Sequence, residues 1–180
     1  MTIFINVKHI LIIFALFITG CVGIPDNIKP VKSFELDRYL GKWYEIARLD
    51  HSFERGLSHV TADYTMRKDG GVKVLNRGYS AEKRSWKQAE GKAYFVENSN
   101  IGHLKVSFFG PFYGSYIVFD LDHENYQYSL VCGPNKSYLW ILARKPMLND
   151  DMKSSLIKKA ADVGFDTSKL IFVDHANLPN

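Results

Sequence analysis

Between residues 41 and 143 the chain offers one short apolar run after another, each closed by residues that turn a backbone. The runs lie at about 43–49, 60–66, 72–79, 86–96, 104–109, 115–121, 126–132 and 138–143. Between them stand Lys68-Asp69-Gly70-Gly71, Asn98-Ser99-Asn100, Gly110-Pro111, Asp122-His123-Glu124-Asn125 and Gly133-Pro134-Asn135-Lys136. Gly and Asn supply positive φ at little cost and Pro fixes φ, so each stretch turns the chain for a stated reason. Eight short strands at this spacing predict an antiparallel sandwich or a meandering barrel.

Alternation within the runs is imperfect. Leu104, Val106 and Phe108 share one face, yet Phe109 is also apolar; Tyr116 and Val118 face away from Ile117 and Phe119. A sheet with one solvated face would be polar there. One face can therefore pack an outer helix while the other lines a cavity, and a sandwich with overlapping contacts stays open on periodicity alone. After Pro146 the period lengthens. Met152, Leu156, Ala160 and Val163 recur at helical spacing beside Ile157 and Ala161, with Asn149 or Asp150 to start the helix and Gly164 to end it. This predicts one amphipathic helix packed on the outside of the sheet. Residues 170–173 read as a returning strand, and the tail from Asp174, residues 176–180 above all, as loose.

Charge and motifs exclude several functions. The 23 Lys and Arg against 19 Asp and Glu are interspersed, as at Glu54-Arg55 and Glu82-Lys83-Arg84, and form no basic stripe for nucleic acid. No G-x-S-x-G elbow, H-E-x-x-H motif or paired-cysteine spacing occurs, so neither an enzyme nor a metal or other cofactor is expected. His51, beside Asp50 and Glu54, reads as a surface-loop side chain rather than a catalytic base. Cys132, between Val131 and Gly133, reads as a buried thiol packing as a small hydrophobe.

The first 20 residues stand apart. An almost unbroken apolar run from Ile10 to Thr19 is too short for the ~20 residues that span a bilayer and reads as a secretory signal. Ile18-Thr19-Gly20-Cys21 resembles the lipobox of bacterial lipoproteins. That resemblance implies cleavage before Cys21, a diacylglyceryl group on its sulfur and an acyl group on its nitrogen, chains enough for a stable anchor. Val22 in place of Asp after the cysteine implies the outer membrane, on its periplasmic face. Residues 22–32, with Pro25 and Pro30 and no apolar period, read with Cys21 as an extended tether reaching roughly 35 Å from the bilayer.

Gly41-Lys42-Trp43-Tyr44-Glu45 resembles the G-x-W signature of the lipocalin family, and Arg144 its third block. Asp122 and Tyr126 match its T-D-Y block only loosely. Longer segments, among them Trp43-Tyr44-Glu45-Ile46-Ala47-Arg48, Glu90-Gly91-Lys92-Ala93-Tyr94-Phe95, Phe108-Phe109-Gly110-Pro111-Phe112-Tyr113-Gly114 and Tyr138-Leu139-Trp140-Ile141-Leu142, are similar to bacterial lipocalins of the Blc type, close to apolipoprotein D. The resemblance implies a lipocalin domain over residues 33–175: an eight-stranded up-and-down barrel with a C-terminal helix outside. It also implies storage or transport of fatty acids or lysophospholipids for envelope maintenance under stress, and allows a homodimer.

By the family pattern Gly41, Trp43 and Arg144 form a structural signature at the closed end, with the guanidinium over the indole. Strand alternation from Arg144 then turns Leu142, Trp140 and Tyr138 toward the lumen, with Tyr116 and Phe95 as further candidates for the wall. For a lipid headgroup Lys87, Arg84 and Arg48 are the nearby cations, and each reads first as a solvated surface charge. The alternatives to a carrier are a filled barrel that binds an envelope partner by its outer face and, with less support, a lipid esterase.

Overall fold

A computed structural model describes residues 22–176 of the 180. The short helix α1 (Leu36–Tyr39) leads into β1 (Gly41–Arg48), β2 (Leu57–Met66), β3 (Val72–Ser80), β4 (Ser85–Phe95), β5 (His103–Phe109), β6 (Phe112–Leu121), β7 (Tyr128–Cys132) and β8 (Leu139–Ala143). Helix α2 (Asp150–Asp162) and the short β9 (Ile171–Phe172) follow. From β1 to β8 each strand pairs antiparallel with the next, and β1 pairs with both β2 and β8, so these eight strands close into a barrel without an edge.

Strand β1 closes the ring in two ways. Near its start, Gly41 to Tyr44 pair with Tyr64 to Thr61 of β2. Higher up, the two strands part and the C-terminal segment takes the vacated ladder: β9 pairs with Ala47 and Arg48, and Val173 N–H donates to the Ile46 carbonyl at 3.0 Å. From the other side His59 N–H donates to the Asp174 carbonyl at 2.9 Å, and His175 Nε2 meets the Glu45 carbonyl at 2.8 Å. The tail is thus a suture through His175 rather than loose from Asp174; residues 177–180 lie outside the described chain.

Two apolar layers explain why the strands alternate poorly. Inside, Phe34, Tyr39, Trp43, Val72, Leu104 and Val131 fill the closed end. Outside, Ile117, Leu130, Cys132, Leu139 and Ile141 pack under Leu156 and Ala160 of α2. Asn149 starts that helix by accepting from Met152 N–H at 2.8 Å. Cys132 is fully buried in this outer layer, and burial pushes its thiol up to about 12. The strands β6 to β8 are therefore apolar on both faces because both are covered.

Residues 22–32 do not form the free tether that their composition suggests. Gly23 carbonyl accepts from Ser115 Oγ at 2.7 Å, Ile28 is buried in the outer layer, and Val31 exchanges backbone bonds with Val118 and Gly102 at 2.9 Å each. Gly102 is what lets the segment lie so close, since a Cβ there would come within 2.8 Å of Val31. Docking by backbone bonds and one isoleucine leaves no apolar period in the sequence.

Helix α1 plugs the base. Trp43, with no exposure to solvent, donates from Nε1 to the Tyr39 carbonyl at 2.7 Å, and the Arg144 guanidinium lies 4.0 Å from the centroid of its ring. Arg144 also donates to the carbonyls of Arg38, Lys42 and Tyr126 at 2.7, 2.9 and 3.3 Å. Tyr126 itself lies in the turn before β7, not in the strand. Losing these bonds and the cation over the indole should make Arg144→Ala less stable by about 2–4 kcal/mol in urea denaturation, with Arg144→Lys recovering only part. A wild-type midpoint for Arg144→Ala would contradict this role.

Candidate functional site

The turns after β1, β3, β5 and β7 ring the end of the barrel opposite α1, and the interior opens toward them. Its floor is polar but self-satisfied. Tyr116 hydroxyl lies 2.8 Å from those of both Tyr39 and Tyr64, and Tyr39 reaches Ser129 Oγ at 3.2 Å. Burial pushes Tyr39 up to about 12 and raises Tyr64 and Tyr116 well above the usual phenol range, so all three stay neutral. Hydroxyls that bond one another present little unmet polarity to an apolar chain end above them.

Above the floor a cavity of about 290 Å³ is walled by Val60, Ala62, Val74, Val106, Phe108 and Leu142, with Trp140 and Tyr138 higher up. Through Phe53, Glu54, Asn76 and Phe108 it continues into an outer chamber of about 410 Å³, bounded by Leu57, Gly78, Lys87, Ala89, Phe109 and Phe112. Mostly apolar walls and this size fit a small-molecule pocket of roughly 300–1,000 Å³.

Trp140, Tyr138, Leu142 and Tyr116 line the inner cavity together. Phe95 does not. It ends β4 at the closed end, below the floor, where its ring packs 6.1 Å from Phe34. Strand alternation gives the face of a side chain but not its height in the barrel. Of the three headgroup cations, Lys87 borders the outer chamber, and Arg84 lies exposed in the turn before β4. Arg48 is a correction: it is 1% exposed and turned inward. The cause is a bulge at Ile46, where β1 shifts register against β8 between Glu45 and Ala47 and Arg48 comes to pair with Trp140.

The bulge assembles a charged cluster in the wall. Arg48 Nη1 donates to Glu45 Oε1 at 2.6 Å, and Nη2 donates to the carbonyls of Glu54 and Leu57 at 2.8 and 3.3 Å. Glu54 Oε2 accepts from Trp140 Nε1 at 3.0 Å and lies 3.0 Å from His51 Nε2. His51 is buried, not on a solvated loop, with Phe53 stacked on it at 4.0 Å. Burial and the nearby Glu54 charge raise the Glu45 carboxyl well above its usual range, against the pull of Arg48. For Glu54 burial also acts upward, but bonds from His51 and Trp140 and the Arg48 charge outweigh it and hold the carboxyl below its usual range. The signal in the sequence was a Glu and an Arg inside an otherwise apolar strand, Tyr44-Glu45-Ile46-Ala47-Arg48.

Comparison with known proteins bears on this arrangement. Residues 34–175 match the family model described as a lipocalin-like domain. The chain is 61% identical over 163 residues to the outer membrane lipoprotein Blc of Vibrio cholerae, covering 91% of this chain and 95% of the relative. It is 53% identical to the outer membrane lipoprotein Blc of Escherichia coli, covering 83% and 84%, and 31% identical to mouse apolipoprotein D, covering 83% and 81%. Among solved structures, insecticyanin from the tobacco hornworm Manduca sexta superposes with a TM-score of 0.69 at 21% identity, covering 87% of this chain and 89% of that one, a likeness of fold.

Arg48 is the cation between two buried carboxylates, so its removal leaves uncompensated charge. Arg48→Met should cost about 3–5 kcal/mol near neutral pH. Without the cation the folded Glu45 carboxyl, already raised by burial and the Glu54 charge, holds its proton to still higher pH than the unfolded one, so stability falls as pH rises through that window. The deficit against wild type should therefore be smaller at about pH 5 than at about pH 8 in urea denaturation. A deficit that grows on acidification would contradict the arrangement.

Proposed function

The chain belongs to the lipocalin-like domain family, and from that premise we propose that it is a lipid carrier of the outer membrane, holding one acyl chain in the two-chambered lumen. The observation that carries this reading is the continuous, mostly apolar space from the tyrosine floor to the outer chamber beside Lys87. Transfer of hydrocarbon from water is favourable by ~0.8 kcal/mol per methylene. A chain of about 16 carbons gains on the order of 12 kcal/mol gross, and the cost of association removes much of it. Micromolar binding follows without a directional contact.

The polar end belongs at the mouth. The floor hydroxyls already bond one another, and Arg48 is held by Glu45, whereas Lys87 borders the outer chamber with its charge uncommitted to either carboxylate. A fatty acid or lysophospholipid would lie with its tail down and its anionic group near Lys87. The space that the side chains leave inside the barrel favours this reading over a filled barrel that acts by its outer face.

The anchor is part of the same proposal. Cys21 lies outside the described residues; its lipobox-like setting and the outer membrane lipoproteins among the relatives support acylation there and residence on the periplasmic face. Residues 1–20 would be the signal removed in maturation. Envelope maintenance under stress is the role such a carrier would serve.

Ala62 faces the inner cavity, and Ala62→Trp should displace at least two methylenes, worth ~1.6 kcal/mol, and weaken a fluorescent fatty acid by about tenfold. The melting temperature should hold. Unchanged affinity in a displacement titration would contradict the lumen as the site. Cys21→Ser should abolish incorporation of labelled palmitate into the protein, and persistence of the label would remove the anchor.

A further inference from the structure

We propose that the Phe109-Gly110-Pro111-Phe112 tip of the β5–β6 hairpin is a membrane-seating edge, held against the lipid surface by an N-terminal leash only two residues long. The inference rests on acylation at Cys21 and goes beyond it, to the orientation of the barrel on the bilayer.

Length of chain carries the argument. The segment after Cys21 is docked from Gly23, whose carbonyl accepts from Ser115 Oγ at 2.7 Å. Two peptide links separate Cys21 from Gly23, a reach of at most ~8 Å. Ser115 stands three residues from Phe112 on the same strand, ~10 Å along it. Lipid attached at Cys21 therefore enters the bilayer within roughly 20 Å of the hairpin tip, beside the upper half of the barrel, a reach that favours seating the open end on the surface.

The tip has the chemistry for that place. Phe109 is 81% exposed and Phe112 is 62% exposed, and the two face each other in register. Every exposed Phe or Trp among the described residues (Phe53, Trp86, Phe109, Phe112 and Phe172) lies on the open half of the barrel, none at the base. Just behind the tip Lys105 lies over the Tyr113 ring at 5.3 Å, and Lys83 and Arg84 occupy the neighbouring turn. Apolar rings with amphipathic Tyr and Lys behind them suit the boundary between acyl chains and anionic headgroups. Phe109 and Phe112 also bound the outer chamber. Seated this way, a lipid passes from bilayer to lumen along aromatic surface without crossing open water.

The test uses the full-length acylated protein in vesicles of phosphatidylethanolamine and phosphatidylglycerol, some with brominated acyl chains. An environment-sensitive dye is placed on Gly110→Cys, where a Cβ meets nothing within 4 Å, or on Lys68→Cys in the turn at the closed end. The buried Cys132 does not compete for label. The dye at 110 should shift to the blue and lose about half or more of its emission to brominated lipid, and the dye at 68 should do neither. Protein that floats with vesicles but shows no quenching at 110, or equal quenching at 68, overturns the seating while leaving the anchor intact. A blue shift at 110 without quenching, lost when the protein is diluted among more vesicles, marks the tip as a contact between two copies and also overturns it. Failure to float removes the anchor, and the seating with it.

Discussion

Everything in the molecule depends on β1 finding strand partners on both of its sides. Its lower half takes β2 and its upper half takes the returning C-terminal segment, with β8 opposite. A closed ladder leaves no edge to pair with other chains, and it fixes an interior volume that side chains must either fill or leave open. Trp43, Tyr39 and Arg144 fill the base; the small residues Ala62, Gly78 and Ala89 higher up leave space.

The closure has an electrostatic consequence. Above its pairing with β2, β1 bulges against β8 at Ile46, and the bulge turns Arg48 inward beside Glu45. A lone buried charge would be costly, so the loop after β1 folds back with Glu54 and His51 to complete a cluster that also holds the Trp140 indole. The aromatic side chain most central to the wall is thereby fixed by the carboxylate of Glu54, the residue whose backbone carbonyl also accepts from the wall's cation. The floor hydroxyls bond one another and the carboxylates of Glu45 and Glu54 are taken up by Arg48 and Trp140, which leaves mostly apolar surface between them, although Asn76 Oδ1 in the same wall has no hydrogen-bond partner.

Much of this was legible in the sequence, and the failures share a cause. Turn residues at regular spacing gave the strands, the lengthened period after Pro146 gave α2, and alternation back from Arg144 placed Leu142, Trp140 and Tyr138 on one face, the face that lines the cavity. Arg48 was misplaced because a period of two carries no sign of an inserted residue, and one bulge reverses every facing beyond it. His51 does lie in a loop, but the loop folds back so that Glu54, Phe53 and Trp140 cover it, a long-range packing that local composition does not report. Phe95 points along the correct row but sits below the floor, and height in a tilted barrel is a property of the ring of strands, not of one strand. Residues 22–32 dock through main-chain bonds that any sequence could make, so composition alone read them as a free tether.

In the function proposed above the lumen holds a single acyl chain. Native mass spectrometry of the protein purified from envelopes without added lipid, before and after addition of excess palmitate, addresses it most directly. One amphiphile per barrel, exchanged for palmitate on addition, is the expected result. A barrel that carries no lipid and takes up none with palmitate in excess would contradict it.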